Sequence, residues 1–131
     1  MKIILASHCK LAEGMKQTAE FFGLFGLESI EQTVQDSGFE KRARELLEKY
    51  KSQQIIVFTD IIGGSVNQIF CRLLQDYQFH LISGMNLPMI LELGFKEDVD
   101  SETLKEIVEK SKQQIVYMNE YLQTVLCDEE D

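Results

Sequence analysis

Residues 54–74, QIIVFTDIIGGSVNQIFCRLL, change their period in mid-stretch and decide the fold. Gln54 to Thr59 is a nearly unbroken apolar run, as expected of a central parallel strand covered on both faces. Asp60-Ile61-Ile62-Gly63-Gly64-Ser65 reads as a loop. Val66, Ile69, Phe70, Leu73 and Leu74 then recur at helical spacing, so a helix leaves the carboxyl end of the strand.

The same alternation continues outward in both directions. Toward the amino terminus, Lys2 to Ala6 is a short apolar strand, and Leu11, Met15, Ala19 (or Thr18), Phe22 and Phe25 form a helical stripe ended by Gly23 and Gly26. Ile30 to Val34 is a more polar strand, expected nearer an edge. After a turn at Asp36-Ser37-Gly38, Ala43, Leu46, Leu47 and Tyr50 mark an amphipathic helix. Toward the carboxyl terminus, Phe79 to Ile82 is a fourth strand, and Asn86-Leu87-Pro88 opens an apolar helix with Pro in its tolerated first turn. Beyond Ser101 two readings stand. The stripe Leu104, Val108, Ser111, Ile115, Met118, Leu122, Val125 continues one helix to about Leu126, yet Ile115-Val116-Tyr117 is a β-favouring cluster. Repeated βα units imply a doubly wound α/β fold with a mostly parallel sheet and helices on both faces.

A chain of 131 residues is expected to form one domain, and 44% hydrophobic with 27% charged residues is ordinary globular composition. No apolar run approaches the roughly 20 residues needed to span a bilayer, and Met1 runs into Lys2-Ile3-Ile4-Leu5 without a secretory pattern, so a cytoplasmic protein is expected. The net charge of −9 gives no basic footprint for nucleic acid and favours basic protein partners. Four of the negatives close the chain, Asp128-Glu129-Glu130-Asp131, in a tail expected to be solvated. Cys9, Cys71 and Cys127 are odd in number and widely spaced, which supports neither a disulfide framework nor a zinc site. Cys71 is expected to pack, and His80, inside a strand, reads as structural.

In an open sheet of order 2-1-3-4 the ligand crevice lies beyond the carboxyl ends of strands one and three. Ser7-His8-Cys9-Lys10 and Asp60 to Ser65 meet there. A carboxylate on one ring nitrogen of a histidine fixes its tautomer and leaves the other nitrogen nucleophilic. Gly63-Gly64-Ser65 at a helix start offers N–H groups and a hydroxyl to an anion. Together these suggest reversible phosphorylation of His8. The loop lacks GxxxxGKS/T, which argues against direct use of ATP, and no metal or cofactor is expected.

These residues also carry a resemblance. Ser7-His8 with Leu11-Ala12-Glu13-Gly14-Met15, then Thr59 to Ser65, then Ser83-Gly84-Met85-Asn86-Leu87-Pro88-Met89, occur in the order and at the separations of one family. The chain resembles the enzyme IIA component of the mannose/fructose/sorbose family of the bacterial phosphoenolpyruvate-dependent sugar phosphotransferase system. The resemblance implies a IIA-like phosphoryl-carrier domain over residues 1–124, followed by an acidic tail, 125–131. It implies that His8 accepts a phosphoryl group from HPr and passes it to a separate IIB component, in indirect association with membrane IIC and IID. It implies that Asp60 orients His8, with Ser65 and the Gly63-Gly64 backbone stabilising the phosphoryl group. It further implies a homodimer exchanging a C-terminal antiparallel strand at about Gln114 to Asn119. The chain departs from the family pattern at Cys9-Lys10, where glycine often follows the histidine, and at Val66-Asn67, in place of a Pro-containing continuation.

Two other functions compete. A receiver-like domain would be phosphorylated on Asp60, but receivers carry an acidic pair after the first strand, where Ser7-His8 stands. A non-catalytic flavodoxin-like binding module would use the same crevice, but neither loop holds a stacking aromatic and there is no GxGxxG.

Overall fold

A computed structural model describes residues 1–34 and 37–130, the side chains of 128–130 excepted; the turn residue Asp36 and the acidic side chains from Asp128 onward lie outside the described residues. Residues 1–99 and 100–131 form two compact units.

The first unit holds β1 (Lys2–His8), α1 (Leu11–Phe21), β2 (Glu28–Gln32), α2 (Phe39–Lys49), β3 (Ile55–Thr59), α3 (Ser65–Leu73), β4 (His80–Ser83) and α4 (Leu87–Gly94). All three strand pairings are parallel and the order is β2-β1-β3-β4, so the doubly wound reading holds. Successive strand residues face opposite sides of the sheet. Ile4, Ala6, Ile55 and Val57 pack with Phe39, Ala43 and Leu47 of α2 and Val66, Phe70 and Leu73 of α3. Phe70 sits edge-on between Phe39 and Phe79, its ring centroid 6.1 Å from each. Ile3, Leu5, Ile56 and Phe58, on the alternate positions, are also buried. The sheet is thus apolar on both faces, as its unbroken strand sequences require.

Helix α1 departs from the expected stripe. Its buried residues are Ala12 and Ala19, while Leu11, Phe22 and Phe25 are exposed. Small side chains face inward here, and the helix ends before the phenylalanines that seemed to continue it. In α3 the buried set includes Asn67, and Cys71 is exposed rather than packed.

In the second unit, Asp100 caps α5 (Ser101–Lys112) by accepting the Thr103 N–H at 2.7 Å. The helix stops at Gln113 and Gln114, and Met118–Glu130 forms α6. The single continuous helix is overturned; the exchanged strand, which would take its partners from a second copy, belongs to the proposed homodimer. The β-branched pair Ile115-Val116 interrupts the single long helix, yet no strand forms at 114–119. A strand needs a neighbour's N–H and C=O groups, and the three strand pairings of the described sheet involve β1 to β4 alone. Ile115 and Tyr117 are exposed instead. No described helix is long and apolar enough to cross a membrane.

Candidate functional site

The last residue of β1 is His8, in register with Gln32, the last residue of β2. Buried Ser7 fixes the chain on either side. Its hydroxyl accepts the Ala12 N–H at 2.8 Å and so ties the first turn of α1 to the end of β1. The next backbone bond runs from the Cys9 N–H to the Gln32 carbonyl at 3.0 Å, with Cys9 at φ 51°, in the left-handed region. The departure from glycine noted in the sequence therefore falls where glycine is the natural occupant.

Asp60 follows β3 and reaches across to His8. Its Oδ2 accepts both the His8 backbone N–H and the ring Nδ1–H, each at 2.8 Å, and its Oδ1 accepts the Ile61 N–H at 3.0 Å. The carboxylate side chain is 10% exposed and the imidazole 42%. Partial burial pushes the Asp60 pKa up. The hydrogen bonds from the His8 backbone and ring, the imidazole charge and the Ile61 N–H outweigh burial and hold it below its ordinary value. An ionised Asp60 accepts only, so Nδ1 carries the ring proton and Nε2 is the free nitrogen. Nε2 lies 3.0 Å from Ser65 Oγ. Histidine, acid and serine are brought together as expected.

The glycine turn serves by shape. Gly63 has φ +79°, which the turn closed by the Gly64 N–H to the Ile61 carbonyl demands at its third position. A Cβ on Gly64 would lie 2.8 Å from Ile61 Cγ2 and 3.1 Å from His8 Cε1, so the missing side chain lets the start of α3 approach the ring. The Gly63 N–H donates to Asn67 Oδ1 at 3.2 Å, and Asn67 Nδ2 donates to Thr59 Oγ1 at 2.8 Å. Both glycine N–H groups thus have protein acceptors, and α3 begins without a side-chain cap. Its first-turn N–H groups are the ones a helix leaves without intrahelical partners.

The cleft beside the ring, of about 300 Å³, opens toward β2 and is lined by His8, Cys9, Gln32, Thr33, Val34 and Ser65. Sequence reasoning aimed at strands one and three and missed Gln32, whose Oε1 accepts the Ser65 hydroxyl at 2.6 Å. The available signal was its place at the carboxyl end of a strand bordering the first. It missed Asn67 as the clamp of the turn as well. A larger cleft, about 610 Å³, lies at the opposite end of β3 and β4, where His80 is 3.5 Å from Gln54. Gln54 there donates to and accepts from the Val99 backbone, a structural arrangement consistent with the reading of His80.

The fold and site define a doubly wound α/β domain with a carboxylate-tethered, half-exposed imidazole at the carboxyl rim of its parallel sheet. The chain belongs to the EIIA-man family, PTS system fructose IIA component, whose model matches residues 2–112. Among solved structures it is similar to a PTS IIA protein associated with the fucose utilization operon from Streptococcus pneumoniae, at 27% identity and TM-score 0.82, over 92% of this chain and 95% of that one. Two others share the fold. The mannose/sorbose specific IIA subunit of the phosphotransferase system from Enterococcus faecalis is 20% identical, with TM-score 0.80, over 88% of this chain and 92% of that one. The phosphotransferase system component EIIA from Streptococcus agalactiae is 23% identical, with TM-score 0.74, over 90% and 97%. No curated protein matches the sequence.

Proposed function

We propose that this IIA component is a phosphoryl carrier that accepts phosphate from phospho-HPr on His8 Nε2 and donates it to a separate IIB component during sugar uptake. The observation that carries the reading is the tethered ring: Nδ1 on Asp60 at 2.8 Å, and Nε2 turned to Ser65 in a half-exposed setting. In the transfer, a bond forms between Nε2 and phosphorus while the donor's nitrogen–phosphorus bond breaks, its electron pair returning to the donor nitrogen. No proton need leave His8, because Nδ1–H stays on Asp60, whose charge stabilises the cationic ring that develops. Ser65 receives the phosphoryl oxygens by its hydroxyl. Gly63 and Gly64 contribute a backbone that brings the positive end of α3 close to them. Positioning and electrostatics supply the catalysis.

Asp60 as the phosphorylated residue is the poorer reading, since both carboxylate oxygens already accept hydrogen bonds. The proposal includes a homodimer and, through IIB, indirect association with IIC and IID. Incubation with labelled phospho-HPr tests the core of it. Wild type takes up an acid-labile, alkali-stable label and His8→Ala takes up none; normal labelling of His8→Ala, or a hydroxylamine-sensitive label, rejects it.

A further inference from the structure

Ser65 has one hydroxyl proton and two neighbours that can accept it. His8 Nε2 is 3.0 Å away and Gln32 Oε1 is 2.6 Å away. The first choice would place a donor on the only free lone pair of the ring; the second leaves that lone pair open. Gln32 is half-buried at the end of β2, and its backbone carbonyl is held by the Cys9 N–H. Its amide therefore springs from a fixed point directly across from the residue it serves, His8, its register partner.

We infer that Gln32 is a positioning residue for the phosphoryl acceptor: its Oε1 draws the Ser65 proton away from His8 Nε2, so that the nitrogen is unmasked before transfer and the hydroxyl is free to turn to the phosphoryl group afterwards. The inference rests on the reading of His8 as the acceptor. Gln32 acts through Ser65, whose hydroxyl it accepts. An apolar side chain of the same length removes the nearer of the two protein acceptors and leaves Nε2 as the one within reach of this exposed hydroxyl, and a hydrogen bond of ordinary strength on that lone pair slows uptake up to about tenfold.

The test uses the full chain and four variants: Gln32→Met, Gln32→Glu, Ser65→Ala, and Gln32→Met with Ser65→Ala. The first readout is the ¹⁵N resonance of His8 Nε2 in the free protein, at a pH where the ring is neutral. In Gln32→Met it moves toward the hydrogen-bonded position. In Gln32→Glu, which keeps an acceptor, and in both Ser65→Ala proteins it does not. The second readout is the rate of uptake from phospho-HPr. Gln32→Met slows it about tenfold in the wild-type background and has no effect in the Ser65→Ala background, because there is no proton left to redirect. An unmoved Nε2 resonance in Gln32→Met, or the same loss of rate with and without Ser65, overturns the inference. If wild type accepts no phosphate, the reading of His8 fails, and the resonance still decides whether Gln32 controls the Ser65 proton.

Discussion

At the scale of single residues, Asp60 joins a structural bond to the role proposed for it in phosphoryl transfer. Its carboxylate gathers three hydrogen bonds, two of them from His8, so the same contacts hold the loop and set the ring. Asp60→Ala is expected to slow phosphoryl uptake roughly a hundredfold, as removal of an orienting partner does, while the chain stays folded. The sign of the pH dependence follows from the lowered Asp60 pKa. Its contribution is fully present above the ordinary carboxyl value and is lost as pH falls below about 3.8 toward the folded value. Urea midpoints of wild type and Asp60→Asn should therefore differ at neutral pH and converge in acid. Cys9 gives an independent check on the same loop. At φ 51° a non-glycine residue carries about 1–2 kcal/mol of strain, and glycine returns about 0.4–1 kcal/mol of that through unfolded-state entropy. Cys9→Gly is thus expected to be neutral or stabilising in denaturant titration, and Cys9→Val to destabilise. His8, Asp60 and Ser65 were legible in the sequence because each follows a strand or opens a helix. Gln32 was not, because the strand expected from Ile30 to Val34 puts it in mid-strand, whereas β2 ends at it.

Among the elements, the entry to α3 carries the most consequence. Strand, turn and helix are visible in the run from Gln54 to Leu74, since the period changes from a buried strand to an amphipathic helix within it. The internal brace of the turn is not visible, for an asparagine on an apolar stripe announces nothing. Asn67 is 7% exposed and holds Thr59, itself fully buried, on one side and the Gly63 N–H on the other. Asn67→Ala strips a partner from both and should cost about 1–3 kcal/mol in urea unfolding. Gly64→Ala should behave differently. The new methyl meets the Cγ2 branch methyl of the exposed Ile61, which clears it only by rotation about χ1, and the His8 ring, which must shift by a few tenths of an ångström. Its expected mark is a loss in uptake rate larger than its loss in stability. The same logic explains where the stripes expected in α1 and across residue 115 depart from the structure. In α1 the sheet accepts alanines, whose small size permits close approach, so of the expected stripe Ala19 is buried and Leu11, Phe22 and Phe25 are not. Near Ile115 the β-branched residues interrupt the helix, but local preference alone cannot supply a strand with hydrogen-bonding partners.

On the scale of the whole molecule, charge and chemistry separate cleanly. The chain carries a net charge of −9, and the transfer step proposed for it needs only an oriented ring and a few hydrogen-bond donors. A field of that sign cannot help a phosphoryl group arrive by itself, because phosphate and protein repel. It can help only when phosphate arrives on a carrier presenting a basic face, where attraction between the proteins raises the encounter rate. Uptake from phospho-HPr at limiting carrier should therefore fall about tenfold between roughly 0.01 M and 0.15 M salt, as the Debye length shortens from about 30 Å to about 8 Å. Uptake at saturating carrier should scarcely change, since bound partners exclude the screening ions from the ring. Labelling by a small phosphoramidate should instead rise slightly with salt, as repulsion of the anion is screened. A salt-independent rate at limiting phospho-HPr would mean that the acidic surface plays no part in bringing the carrier to His8, and that the histidine, acid and serine at the rim act without help from the rest of the chain's charge.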